Sequence, residues 1–235
     1  VSTREQILEA AGPIFADQGF QAATVREICG SAGVNVAAIN YYFGDKQRLY
    51  VETVTHAYRQ RLDRVPVPQW PASTQPEVKL FLFISALLDR MVGAERTTWQ
   101  ARLMAREVLQ PTEACRALVQ EYFRPQMEML MGIIAEIVPR AASRVELQRA
   151  AFSVVGQCVF YRLANEIVEL MVEPTERETN YAIPALAKHI AQFSLAALGG
   201  NVNVLEGSMV FPYWTERVDA RPMGSSECQS REELK

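Results

Sequence analysis

At 235 residues, 49% hydrophobic and 22% charged, the chain has ample apolar content for a core and room for one large or two small domains. A formal net charge of −3 excludes recognition of nucleic acid or an anionic membrane through bulk charge, so any such partner must be met by a local patch. Four scattered cysteines without a CxxC pair, and no uninterrupted apolar run near ~18 residues, argue against a zinc site, a disulfide scaffold or a membrane span.

The elements read as helical almost throughout. In residues 3–18 the apolar set Ile7, Leu8, Ala11 and Phe15 lies on one helical face, and Gly19 suits a left-handed cap. Thr24 stands three residues before Glu27, the spacing of a capping box, and predicts a short helix to about Ala32 with Val25 and Ile28 inward. Gly33 ends it. Asn35 caps a third short helix ending near Tyr42, and Gly44-Asp45 starts a fourth that runs to about Asp63.

Residues 65–76, VPVPQWPASTQP, hold four prolines and read as a linker between a unit at 1–64 and a second at 77–200. Beyond it, helices are expected over 77–91, 98–109, 112–138, 143–171 and 183–198, with no strand anywhere. The fourth of these, about 43 Å long at 1.5 Å per residue, is apolar or small on most faces at its centre, AAFSVVGQCVFY. Such a helix must be covered on more than one side, and a second copy of itself is the simplest cover. Residues 201–235 lose the period and read as a poorly ordered tail.

The second and third helices with their tight turn form a helix-turn-helix, whose second helix enters the major groove of double-stranded DNA. Val34 and Ile39 should face inward, leaving Val36, Ala37, Ala38 and Asn40 outward, short enough for close approach to base edges. Asn40 can make a two-pronged amide contact, with adenine favoured. Tyr41 and Tyr42 end the helix where a hydroxyl reaches a phosphate. Thr24 and Lys46, at helix N-termini, would clamp phosphates on either side, with Asn35 at the cap and Arg26 and Arg48 beside them. An outward alanine pair alone is an ordinary helix surface; the turn, the tyrosines and Lys46 together carry the reading. Residues 1–64 hold seven Lys/Arg and seven Asp/Glu, which predicts modest non-specific affinity.

The segment ILEAAGPIFADQGFQAATVREICGSAGVNVAAINYYFGDKQRLY resembles the N-terminal domain of TetR-family transcriptional regulators. Asn40 and Tyr42 stand where that family usually has tyrosine and histidine, and Cys29 where it usually has alanine. The runs ARLMAREVLQPTEACRALVQEYFRP and SVVGQCVFYR further resemble the subgroup with a CerR-type C-terminal domain. The resemblance implies an all-α fold, with an N-terminal three-helix DNA-binding domain and a C-terminal helical ligand-binding and dimerisation domain. It also implies a cytoplasmic homodimer joined through helices near 143–171 and 183–198, which reads a palindromic operator and is released by a small-molecule inducer. Members commonly repress transporter or efflux genes.

No catalytic set is visible: His56 and His189 are far apart, and no Ser/His/Asp group, carboxylate dyad or phosphate loop stands out, so no enzyme, metal or cofactor is expected. The rival reading is a helical small-molecule binder or enzyme with a relict helix-turn-helix. For an inducer site the second unit offers a stripe of Phe83, Leu87, Met91, Trp99, Leu103, Met104, Tyr122, Phe123, Met127, Cys158 and Tyr161. Within it Arg102 and Gln157 are the polar residues expected to face a ligand, while Arg106 and Glu107 are expected to form a structural charge pair.

Overall fold

The computed structural model describes residues 2–93 and 97–205. Among these residues every regular element is helical. Four helices form the N-terminal head: α1 (Thr3–Ala22), α2 (Val25–Ala32), α3 (Val36–Phe43) and α4 (Lys46–Arg64). The body follows with α5 (Pro76–Val92), α6 (Trp99–Leu109), α7 (Glu113–Leu118), α8 (Arg124–Ile137), α9 (Arg144–Leu163), α10 (Asn165–Met171), α11 (Pro174–Asn180) and α12 (Ile183–Leu198).

Helices α2, α3 and α4 each start on a side chain that accepts an otherwise orphaned backbone N–H. Thr24 accepts from Glu27 N, Asn35 from Ala38 N and Asp45 from Arg48 N. The Thr24 box is only half made, because the Glu27 carboxylate is taken by the Gln18 amide. Gly33 adopts the left-handed conformation, φ 65° and ψ 31°, and the Val34 N–H returns to Cys29 O at 3.1 Å. A side chain at Gly33 would strain that turn. Gly19 departs from the expected cap: its φ of 77° is positive, but its ψ of 177° is extended.

Two apolar cores follow from this order. One gathers Leu80, Ile84, Leu88, Leu130, Ile134, Val154, Ile190 and Leu195 from α5, α8, α9 and α12. The other belongs to the head, with Ile7, Phe15, Ile28, Ile39, Leu49 and Val54, yet it also takes in Leu103, Ala114 and Leu118 from α6 and α7. The head is thus completed by body helices.

Three expectations are corrected. The helix expected over 143–171 breaks at Ala164, whose φ of −99° and ψ of 17° leave the helical region, so α9 is 20 residues long and α10 is separate. The helix expected over 112–138 contains a wide turn at Val119–Phe123, closed by the Arg124 N–H on Val119 O. Pro125 explains it: proline lacks an N–H and its ring would press on the carbonyl four residues back, and one extra residue in the turn relieves both. Finally, α11 was not anticipated, and Val202–Leu205 forms a 3₁₀ turn whose Leu205 is buried in the body core. The rest of the expected tail lies outside the described residues. No described helix is long and apolar enough to cross a membrane.

Candidate functional site

The eight residues of α3 span about 12 Å, which matches the width of the major groove, about 12 Å. Its inner face is anchored by Ile39 and Phe43, both buried. Val36, at 48% exposure, Ala37 and Asn40 point to solvent, and Tyr41 is 82% exposed. Tyr42 is also exposed, its ring edge-on to Tyr41 with centroids 5.0 Å apart. Ala38 departs from the outward set: it is half-buried against the head core, and its N–H binds the Asn35 side-chain oxygen at 3.0 Å. Asn35 therefore serves α3 as its cap. Val34 is half-buried, and Cys29 is a small core residue.

Thr24 and Arg26 are exposed at the start of α2. Lys46 opens α4, its ammonium 4.7 Å above the Phe20 ring and 3.2 Å from Gln21 O. These contacts hold the amine at the end of α1 without neutralising it. Free N–H groups at two helix starts, one ammonium and one guanidinium then lie around an exposed short helix, the arrangement that grips a phosphate backbone.

Behind the head lies a cavity of about 680 Å³. Its walls come from α4 to α9, and from the apolar stripe Phe83, Leu87, Met91, Met104, Phe123 and Met127 reach it. Trp99, Leu103, Tyr122, Cys158 and Tyr161 of that stripe, and the two polar residues Arg102 and Gln157, are not among the lining. Trp99, Leu103 and Tyr122 pack against the head core. Arg102 is exposed and pairs with Asp17 at 2.8 Å. The Gln157 amide sits between α9 and α12, 3.4 Å from Ser194 Oγ. Tyr161 lines a second cleft, near Asn165, Arg177 and Tyr181. The reason is common to them: α6 and α9 are each packed on more than one side, and a helical period does not say which side is the cavity.

The expected Arg106–Glu107 pair is replaced by two separate links to the head. Arg106 donates to Asp17 O at 3.1 Å, near the C-terminus of α1, where carbonyls favour a cation. Glu107, 1% exposed, accepts from the Tyr50 hydroxyl and from Thr112 Oγ1, and also lines the cavity. Burial, then the Glu107 carboxylate beside it, push the Tyr50 phenol well above its ordinary pKa, so it remains a donor.

Outside the cavity lining, Phe160 on α9 is exposed, as are Phe193 on α12 and Ile167, Leu170 and Met171 on α10. So many large apolar side chains on neighbouring helices mark an interaction surface.

Residues 7–53 match the family described as "Bacterial regulatory proteins, tetR family". Residues 76–198, over half of the chain, match "HTH-type transcriptional dual regulator CecR, C-terminal domain". The chain belongs to the TetR family, with a CecR-type C-terminal domain. The subgroup label CerR is corrected to CecR.

The CecR regulator of Shigella flexneri is 27% identical over 180 residues, covering 71% of this chain and 78% of that protein. The probable regulator YttP of Bacillus subtilis is 31% identical over 137 residues, covering 58% and 65%. Among solved structures, a TetR-family regulatory protein from Rhodococcus RHA1 superposes with a TM-score of 0.60 at 17% identity, covering 86% of this chain and 99% of that one. The TetR regulator TylP of Streptomyces fradiae gives 0.56 at 21%, covering 87% and 89%. These likenesses establish the TetR fold. This TetR-family chain is a DNA-binding transcriptional regulator, and the relatives it matches are regulators rather than enzymes.

Proposed function

We propose that this TetR-family regulator is a cytoplasmic homodimeric repressor that releases a palindromic operator when a small molecule fills the cavity between α4 and α9. Asn40, Val36 and Ala37 would read base edges, and Tyr41, Tyr42, Thr24, Arg26 and Lys46 would hold phosphates. Two heads would engage half-sites one helical turn apart, about 34 Å.

The observation that carries the reading is the position of α6. Met104, Ala105, Glu107 and Val108 line the cavity, while Trp99, Leu103, Arg102 and Arg106 of the same helix bind the head. Any ligand that displaces α6 must move the head or break those contacts. A second route runs along α4, from Lys46 at its start to Tyr58 and Arg61 at the cavity wall. Release needs only that the two head spacings differ in operator affinity, the ligand favouring the weaker.

Dimerisation is assigned to the exposed faces of α9 and α12, with α10 adjoining. Phe160 and Phe193 would each contribute about 1.5–3 kcal/mol on full burial. Regulation of a neighbouring transporter or efflux gene is the working target. Footprinting of the DNA upstream of the chain's own gene tests the proposal: protection of a palindrome by the dimer is expected, and no specific protection at moderate salt would sink it.

A further inference from the structure

We infer that the molecule this cavity takes is uncharged and largely apolar, with one oxygen that accepts a hydrogen bond. The inference rests on the reading of the cavity as the effector site and adds the chemistry of its ligand. At about 680 Å³ the space falls in the range of small-molecule sites. Phe83, Leu87, Met91, Met104, Phe123 and Met127 supply its apolar wall. The three methionines, unbranched and polarisable, adapt to the shape of an aliphatic or aromatic body.

The charged groups of the wall are already spent on the protein itself. Glu107 accepts from the Tyr50 hydroxyl and from Thr112 N and Oγ1, and Glu128 pairs with Arg144. The Arg90 guanidinium donates to Val65 O at 3.0 Å, Pro66 O at 3.4 Å and Gln126 Oε1 at 3.0 Å. Arg162 donates to Ala101 O at 2.9 Å, and Arg61 is partnered as well. Arg124 is exposed, and water already solvates it. An ion entering this space would give up its hydration and would have to displace one of these contacts to regain a partner. An uncharged body gives up little, and its apolar surface leaves water.

The Tyr58 hydroxyl is different. It accepts from Gln126 Nε2 at 2.7 Å, and its own proton meets no acceptor among the described residues. Burial pushes the phenol's pKa up, so that proton stays in place. Tyr58 and Gln126 both line the cavity, and the Tyr58 ring packs on Tyr122 and Phe123 with centroids 4.7 and 5.4 Å away. A ketone, ester or ether oxygen on the ligand would complete the hydrogen bonding of that hydroxyl.

Three dyes test this on the full chain. N-Phenyl-1-naphthylamine and 8-anilinonaphthalene-1-sulfonate share one aromatic body and differ by the charged sulfonate. The third, 6-propionyl-2-(dimethylamino)naphthalene, is uncharged and carries a ketone. Fluorescence titration is expected to show each uncharged dye bound at one per chain, about tenfold or more tighter than the sulfonate. Tyr58→Phe keeps the ring and deletes the proton, so it should weaken the ketone roughly fivefold and the phenylnaphthylamine less than about twofold. Leu87→Trp, which fills the cavity from α5, should abolish binding of both uncharged dyes, and Met104→Trp should do so from α6.

A sulfonate bound as tightly as its uncharged counterpart, or no binding of either uncharged dye, would overturn the inference. So would binding indifferent to both tryptophan changes, or ketone affinity unchanged in Tyr58→Phe. The effector reading fails on a different result: the uncharged dyes fill the cavity as expected, and operator affinity does not change.

Discussion

The Tyr50 hydroxyl donates a 2.5 Å hydrogen bond to Glu107 Oε1, joining α4 of the head to α6 of the body with both side chains buried. Glu107 also receives Thr112 N and Oγ1, and so fixes the start of α7. One carboxylate thus ties the head, the cavity wall and the next helix. Tyr50→Phe keeps the ring that packs edge-on against Phe15 and deletes only the donor. A hydrogen bond to a charged group contributes about 1.5–3 kcal/mol, and urea denaturation should show a loss of that order with the helical spectrum unchanged. The effector concentration for half-release of operator should shift in the same variant, because a link between cavity and head is gone.

On the DNA side, Lys46→Ala should weaken operator and random DNA alike and reduce the slope of log affinity against log salt by about 1. Asn40→Ala should instead cost about 1–3 kcal/mol on the operator alone and relax the preference at one base pair. Gel-shift titrations across salt and across single-base variants of the site separate the two. If Asn40→Ala lost no base preference, Asn40 would be removed from the reading face.

For the dimer, Phe160→Arg and Phe193→Arg change exposed side chains, so the monomer fold should survive. Sedimentation velocity should show the double variant as a monomer at micromolar concentrations where the unaltered protein is a dimer. Operator affinity should fall with it, since a single head loses the second half-site. A dimer that persists would place the interface elsewhere.

The start of α9 predicts a pH effect. The Arg140 guanidinium first, then the Ser143 N–H and hydroxyl, hold the Glu146 carboxyl down to about 2. Its ordinary value is 4.5, so its stabilising contribution is complete above that and is lost as pH falls toward about 2. A side-chain NMR titration should place the midpoint near 2, and Arg140→Ala should raise it toward the ordinary range.

Packing between α1 and α6 gives a sharper test of the head–body contact. A methyl at Gly12 would lie 2.4 Å from the Trp99 ring, so the indole must move. Gly12→Ala should destabilise the protein by about 1–3 kcal/mol through overpacking, read by thermal denaturation. A change in Trp99 fluorescence should accompany it.

The head was legible because its punctuation is local: Thr24, Gly33, Asn35 and Asp45 each act on backbone groups within a few residues, and the helices start and stop where those residues stand. The break at Ala164 was not, since the apolar period continues through it into Ile167 and Leu170. Pro125 offered a cue to the wide turn at Val119–Phe123. The cavity divided along the same line. Its Met and Phe stripe could be read from spacing, but the partner of Arg102 is Asp17, 85 residues away, and nothing in either neighbourhood announces that pairing. Arg61 and Arg90, which line the cavity, were missed as well: Arg90 ends the apolar run of α5 and offered a cue, whereas Arg61 stands in the charged stretch YRQRLDR of α4 and offered none.

The sharing of the head core has a practical consequence for anyone building chimeric regulators. Leu103, Ala114 and Leu118 sit among the side chains of α1 to α4, so a cut at the proline-rich linker removes part of the apolar interior that the head requires. A transplanted head would expose Phe15, Leu49 and Tyr50 wherever the host body lacks matching shapes. A working hybrid should carry α6 and α7 with the head, and the fusion point belongs near Val119, where the chain already widens its turn.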